Sequence, residues 1–158
     1  MYKRKIENFL SLWKSNKNRK PLVIKGCRQC GKTSSVRQFA SKHYKHVVYM
    51  DFHEQKYLKS LFQGALSVDY LIVAISAALP DARFVPGKTV IIFDEIQECE
   101  EALNSLKYFC EDSPDYHIIA AGSLLRVAVK KRKMTVPVGK VRVNRMYPIS
   151  FKEFLRDS

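Results

Sequence analysis

Apolar positions along this chain fall into two alternating rhythms. Ile6, Phe9, Leu10 and Trp13 recur at i, i+3, i+4 and i+7 with Lys3, Lys5, Glu7 and Lys14 between them, so the spacing predicts an amphipathic helix over residues 3–15. A polar stretch from Ser15 to Lys20 ends at Pro21, and Leu22-Val23-Ile24 reads as a short buried strand that stops at Gly26. Val36, Phe39 and Ala40 then mark one face of a helix from Thr33 to His43. The β-branched and aromatic run His46 to Met50 predicts a second strand ending near Asp51.

Two helices are expected next, the second N-capped by Ser67 and running from Val68 to Leu79 before Pro80. Thr89 to Phe93 is the most strand-like run, and its unbroken apolarity predicts a central strand covered on both faces. A helix through Leu103, Leu106 and Phe109, a strand at Ile118 to Ala121 and a short helix from Leu124 follow. Val141 and Val143 alternate with Arg142 and Asn144 as in a half-buried strand, and Ser150 to Glu153 is a capping box opening a last helix through Phe154 and Leu155. Strands alternating with helices predict an α/β fold with a parallel sheet between helical layers. Phe9, Trp13 and Phe109 are expected in the core.

The 158 residues, 46% hydrophobic and 27% charged, suffice for one folded domain and exclude a long multidomain enzyme. The formal charge of +13 favours anionic partners, and its placement is uneven: residues 1–50 carry +12, 51–125 carry −7 and 126–158 carry +8. Two basic segments thus flank a carboxylate-rich middle. No apolar stretch of signal-peptide or membrane-spanning length occurs, and Cys27, Cys30, Cys99 and Cys110 suit a reducing compartment, so a cytoplasmic location is expected.

The chemistry is concentrated where strands end. Gly26-Cys27-Arg28-Gln29-Cys30-Gly31-Lys32-Thr33 fits G-x-x-x-x-G-K-[ST] between an expected strand and an expected helix. In that setting the backbone N–H groups converge on nucleotide phosphates at the positive end of the helix, Lys32 reaches the β- and γ-phosphates, and the Thr33 hydroxyl meets Mg²⁺. Asp94-Glu95 closes the central strand at the edge where such a loop opens, which suits Asp94 to the metal and Glu95 to taking the proton of an attacking water. Ser123, after Ile118 to Gly122, is a candidate for orienting that water, and equally a plain helix cap. The Asn-Lys-x-Asp of GTPases is absent, which favours ATP.

These segments, in this order, resemble the AAA-type ATPases. Arg-Lys-Pro-Leu-Val-Ile-Lys-Gly at 19–26, Ile-Phe-Asp-Glu-Ile-Gln-Glu at 92–98, Leu-Lys-Tyr-Phe at 106–109, Ala-Ala-Gly-Ser-Leu-Leu at 120–125, Pro-Val-Gly-Lys-Val at 137–141 and Tyr-Pro-Ile-Ser-Phe-Lys-Glu-Phe-Leu at 147–155 are similar to a prokaryotic family joining an AAA-type ATPase domain to a C-terminal domain of unknown function. The resemblance implies a three-layer P-loop fold with strand order 5-1-4-3-2, ATP and Mg²⁺ as ligands, and Gly26 to Thr33, Asp94, Glu95 and Ser123 as the matching positions. It divides the chain into an N-terminal helix and linker, 1–20, and an ATPase core, 21–158. Relatives continue past the last segment whereas this chain ends at Ser158, and Arg126 stands where they carry a small residue. The expectation is an ATPase that turns over slowly, or only with a partner or the missing domain, its transition-state cation being Arg126, Lys140, Arg142 or an arginine of another subunit.

Two other readings stay open: an ATP-gated interaction module without significant turnover, and a basic nucleic-acid-binding protein with a vestigial site. Lys130-Lys131-Arg132-Lys133 and the basic first helix suit DNA or another anionic partner, or simply a solvated loop. Cys27-x-x-Cys30 has zinc or redox spacing, but it occupies variable positions of the phosphate loop and has no second pair. His43, His46, His53 and His117 lack ligand spacing and read as surface or strand-end residues. Asp51 and His53 follow the second strand, where a polar residue restrains the catalytic glutamate in AAA proteins.

Overall fold

In a computed structural model that describes residues 2–26, 32–122, 137 and 139–146, five strands form the frame: β1 (Leu22–Gly26), β2 (His46–Asp51), β3 (Thr89–Asp94), β4 (His117–Gly122) and β5 (Arg142–Met146). All neighbours run parallel in the order β2-β3-β4-β1-β5, the expected sheet counted from its other edge. Four α-helices connect or precede them: α1 (Tyr2–Ser15), α2 (Lys32–His43), α3 (Val68–Ala78) and α4 (Glu100–Asp112). The first of the two helices expected after β2 is a tighter 3₁₀ segment, Lys56–Phe62, and Ser67 caps α3 by accepting from the Tyr70 N–H. The expected helices from Leu124 and Ser150 lie outside the described residues.

Alternation along the strands divides the core into two. Val23, Val48, Met50, Ile91, Phe93, Ile118 and Ala120 face α3, α4 and the 3₁₀ segment, whereas Leu22, Ile24, Val90, Ile92, Ile119 and Ala121 face α1 and α2. Side chains two apart on a strand share a face, so the unbroken apolar runs Val90–Phe93 and Ile118–Ala121 must find cover on both sides. Every residue of β3 and β4 is buried. Phe52, Phe62, Phe93 and Phe109 meet at tilted or edge-on angles with centroids 5.5–6.4 Å apart, filling the α3–α4 side. The outer strand β5 departs from the expected pattern: Val143 is 47% exposed, because an edge strand has a neighbour on one side only.

At the amino end of the sheet α1 is pinned by polar contacts as well as by Leu10 and Trp13. The Trp13 indole N–H donates to the Lys20 carbonyl at 2.7 Å, and the Arg19 guanidinium donates to the carbonyls of Lys14 (2.8 Å) and Pro114 (3.1 Å), tying the linker to the entry of β4. His117 opens β4 only 6% exposed, edge-on to Trp13 and with Nδ1 2.5 Å from the Tyr44 hydroxyl. Burial pushes the Tyr44 phenol up, so it donates, and burial together with Arg19 and Lys14 holds the imidazole neutral, its pKa lowered to about 3. His117 is thus a strand-end residue, as one of its two readings had it, but a buried one and not at the surface.

Candidate functional site

All five strands deliver their carboxyl ends to one edge. Register pairs Gly26 with Met146, Lys25 with Gly122, Asp94 with Ala121 and Asp51 with Asp94, so the end of β1, from which the 26–33 segment departs, lies one strand away from β4 and two from β3. Open parallel sheets bind ligands at this edge, because the strand ends and the helix N-termini that follow them converge there.

Asp94 is the fixed point of the edge. It is 3% exposed, and its carboxylate is fully engaged: Oδ2 accepts from the Thr33 hydroxyl at 3.0 Å and from the Tyr49 hydroxyl at 2.5 Å, and Oδ1 from the Glu95 N–H at 2.9 Å. Thr33 sits in the first turn of α2, so the contact spans 61 residues of sequence and joins two segments singled out independently. Tyr49 reaches Asp94 because β2 and β3 pair Tyr49 with Ile92, leaving Asp94 as the diagonal neighbour on the same face. The Arg37 guanidinium, one turn along α2, lies over the Tyr49 ring 4.2 Å from its centroid. Burial, then the hydrogen bond to Asp94, push the Tyr49 phenol well above its ordinary value, which keeps it protonated and donating. The Thr33–Asp94 pair is a hydroxyl and a carboxylate in contact, a hard-oxygen donor set of the kind that suits Mg²⁺.

Beyond Asp94 the chain turns sharply. Glu95 takes the left-handed conformation (φ 54°, ψ 47°), the one non-glycine residue with positive φ among those described. For a residue with a Cβ this costs about 1–2 kcal/mol. It lets Ile96 enter the core while Glu95 stays at the rim, ahead of a 3₁₀ turn over Ile96–Glu98. Gln97, 5% exposed, donates through Nε2 to Glu95 Oε2 at 2.6 Å.

Other expected positions separate from this group. Asp51 accepts at Oδ1 from the His53 and Glu54 N–H groups and closes a turn, while His53 lies 3.8 Å from Glu98; neither supplies these contacts to Glu95. Arg142 pairs with Leu22 at the opposite end of β1, about 13 Å from Gly26 at the usual strand rise, and its guanidinium covers the Phe9 ring. Lys140 precedes it and meets Glu111 at 3.2 Å. The register therefore removes both as the site's own cation. Residues 27–31 of the phosphate loop with Cys27, Arg28, Gln29, Cys30 and Gly31, the Lys32 side chain, Ser123, Arg126 and the 130–133 basic run lie outside the described residues. Tyr49, Arg37 and Gln97 were not foreseen, since their roles depend on strand register and on one backbone turn.

A sequence model of the AAA domain family matches residues 18–155. This chain belongs to that family. No curated protein matches it. Among solved structures, this AAA domain is similar to the Walker-type ATPase PABY2304 of Pyrococcus abyssi, at 19% identity and TM-score 0.56, covering 99% of this chain and 56% of that one. It is also similar to the Orc1 protein of Aeropyrum pernix solved in complex with DNA (15% identity, TM-score 0.54, 99% and 46% covered). A variant of Thermotoga maritima RuvB gives 16% identity, TM-score 0.54, and 97% and 48% covered. The AAA domain thus spans about half the length of these structures, and at such identities they bear on its fold. Among the described residues, no helix is long and apolar enough to cross a membrane.

Proposed function

We propose that this AAA domain binds ATP with Mg²⁺ and hydrolyses it. The observation that carries the reading is the 3.0 Å contact between Thr33 and a buried Asp94, with Glu95 next in the chain at the carboxyl edge of the sheet. In this reading the Gly26 to Thr33 segment would cradle the phosphates, Lys32 would neutralise the β- and γ-phosphates, and Thr33 and Asp94 would hold the metal. When bound, Mg²⁺ supplies neutralisation of the phosphate oxygens. Tyr49 and the Glu95 N–H hold the Asp94 carboxylate aimed.

Glu95 accepts a proton from water as the water oxygen bonds to the γ-phosphorus. The bond from that phosphorus to the β,γ-bridging oxygen breaks, and ADP and inorganic phosphate leave. Ser123 orients the water. The cation that offsets transition-state charge comes from a site other than Lys140 or Arg142, namely Arg126 or an arginine of another subunit, and turnover is slow wherever a partner must supply it.

Calorimetric titration with ATP·Mg²⁺ and single-turnover phosphate release, protein in excess, test this. Wild type is expected to bind and to release phosphate; Lys32→Ala loses binding; Glu95→Gln keeps binding and loses about 10²-fold or more in rate. A folded wild-type chain that binds no ATP refutes the reading. Binding with equal phosphate release by wild type and Glu95→Gln removes Glu95 from its role.

A further inference from the structure

The turn after β3 carries two local costs. Glu95 is held in the left-handed region, and two residues later Gln97, 95% buried, leaves its side-chain oxygen Oε1 without a hydrogen-bond partner among the described residues. A buried amide oxygen left unpaired is destabilising, and native chains remove most such groups. Both costs converge on one contact, the 2.6 Å bond from Gln97 Nε2 to Glu95 Oε2.

The orientation of the amide follows from that contact. Flipped, it would turn its oxygen toward a carboxylate oxygen and leave two N–H donors buried instead; only the observed orientation lets Gln97 donate to the carboxylate. The amide is also held rigidly. Ile96 is fully buried, Cys99 is 1% exposed, and the N–H groups of Glu98 and Cys99 donate to the carbonyls of Glu95 and Ile96 at 3.0 Å. The polar groups expected to restrain the glutamate from the end of β2 are spent elsewhere, Asp51 on its own turn and His53 beside Glu98.

We infer that Gln97 is a positioning residue for hydrolysis: its side-chain N–H fixes the Glu95 carboxylate over the carboxyl edge before nucleotide arrives, and the unpaired oxygen is the stability given up for it. This deepens the reading of Glu95 as the proton acceptor and rests on it. A carboxylate that loses this donor spends less time within reach of the attacking water, and misplacements of about 1 Å cost up to about 10² in rate. Gln97 touches neither water nor phosphate in this role, so its loss lowers the rate and leaves ATP affinity alone.

The deciding variant is Gln97→Met, which keeps length and burial while removing both the donor and the orphaned oxygen. Single-turnover phosphate release is expected to fall about tenfold or more, with unchanged ATP affinity and a melting temperature equal to or above wild type. A structural role moves stability and rate downward together, and that result overturns the inference. So does a rate equal to or above wild type, the latter meaning that Gln97 parks the glutamate rather than aims it. A second measurement is independent of turnover. The Gln97 side-chain amide signals, identified by their loss in Gln97→Met, are expected to shift in Glu95→Ala, and signals that stay in place overturn the contact itself. Wild-type protein that binds ATP yet releases no phosphate overturns the hydrolytic reading and this inference with it, a failure distinct from equal release by wild type and Gln97→Met.

Discussion

Acid should loosen this domain through one buried imidazole. His117 is 6% exposed, accepts at Nδ1 from Tyr44, and is held neutral with a pKa lowered to about 3, first by burial and then by the nearby Arg19 and Lys14. In the unfolded chain it titrates near 6.5, so between about pH 6.5 and 3 the unfolded state binds one more proton than the folded state. Stability from this group is complete above about pH 6.5 and declines as the pH falls through that window, by up to about 1.4 kcal/mol per pH unit. Integrated from neutral pH to pH 5, the loss is about 2 kcal/mol, or about 4–8 °C in melting temperature for a domain of this size. The assay is urea unfolding at pH 7.5 and pH 5.0 for wild type and His117→Phe. The variant leaves Tyr44 unpaired and starts less stable, but its loss between the two pH values should be about 2 kcal/mol smaller, since all other ionisable groups are common to both. Equal losses would refute the account and mean that the imidazole is solvated or charged in the folded state.

Two further changes probe the frame around the site. Tyr49→Phe removes one of three donors to the buried Asp94 and should lower stability of the nucleotide-free protein by about 1–2 kcal/mol, read by urea unfolding, with little change in ATP binding. Trp13→Ala deletes the largest side chain joining α1 to the sheet, together with its bond to Lys20, and should cost about 3–5 kcal/mol by the same assay. A cost below about 1 kcal/mol would mean that α1 contributes little to the global fold.

Much of the frame was legible because burial imposes period on sequence. Val90 to Phe93 and Ile118 to Ala121 are unbroken apolar runs, and both became central strands covered on two faces. The i, i+3, i+4, i+7 spacing of Ile6 to Trp13 became α1, with Ile6, Leu10 and Trp13 buried and Phe9 partly so beneath Arg142. The pattern failed where neighbours decide. Val143 alternates like a half-buried position but stands on an edge strand, and His117 is the strand-end residue its setting suggested yet lies buried against Trp13 and Tyr44.

The same division runs through the candidate site. Residue types at fixed spacing after a strand marked Thr33, Asp94 and Glu95, since each segment carries its own local signature. The sequence by itself therefore determined the layers and the strand ends at which the candidate residues gather. Tertiary structure decided what completes them: the β2–β3 register that brings Tyr49 to Asp94, the left-handed turn that sets Gln97 on Glu95, and the strand direction that sends Lys140 and Arg142 to the far edge. Register and direction arise from packing between segments distant in the chain, and a local pattern of residues carries no record of which partner it will meet.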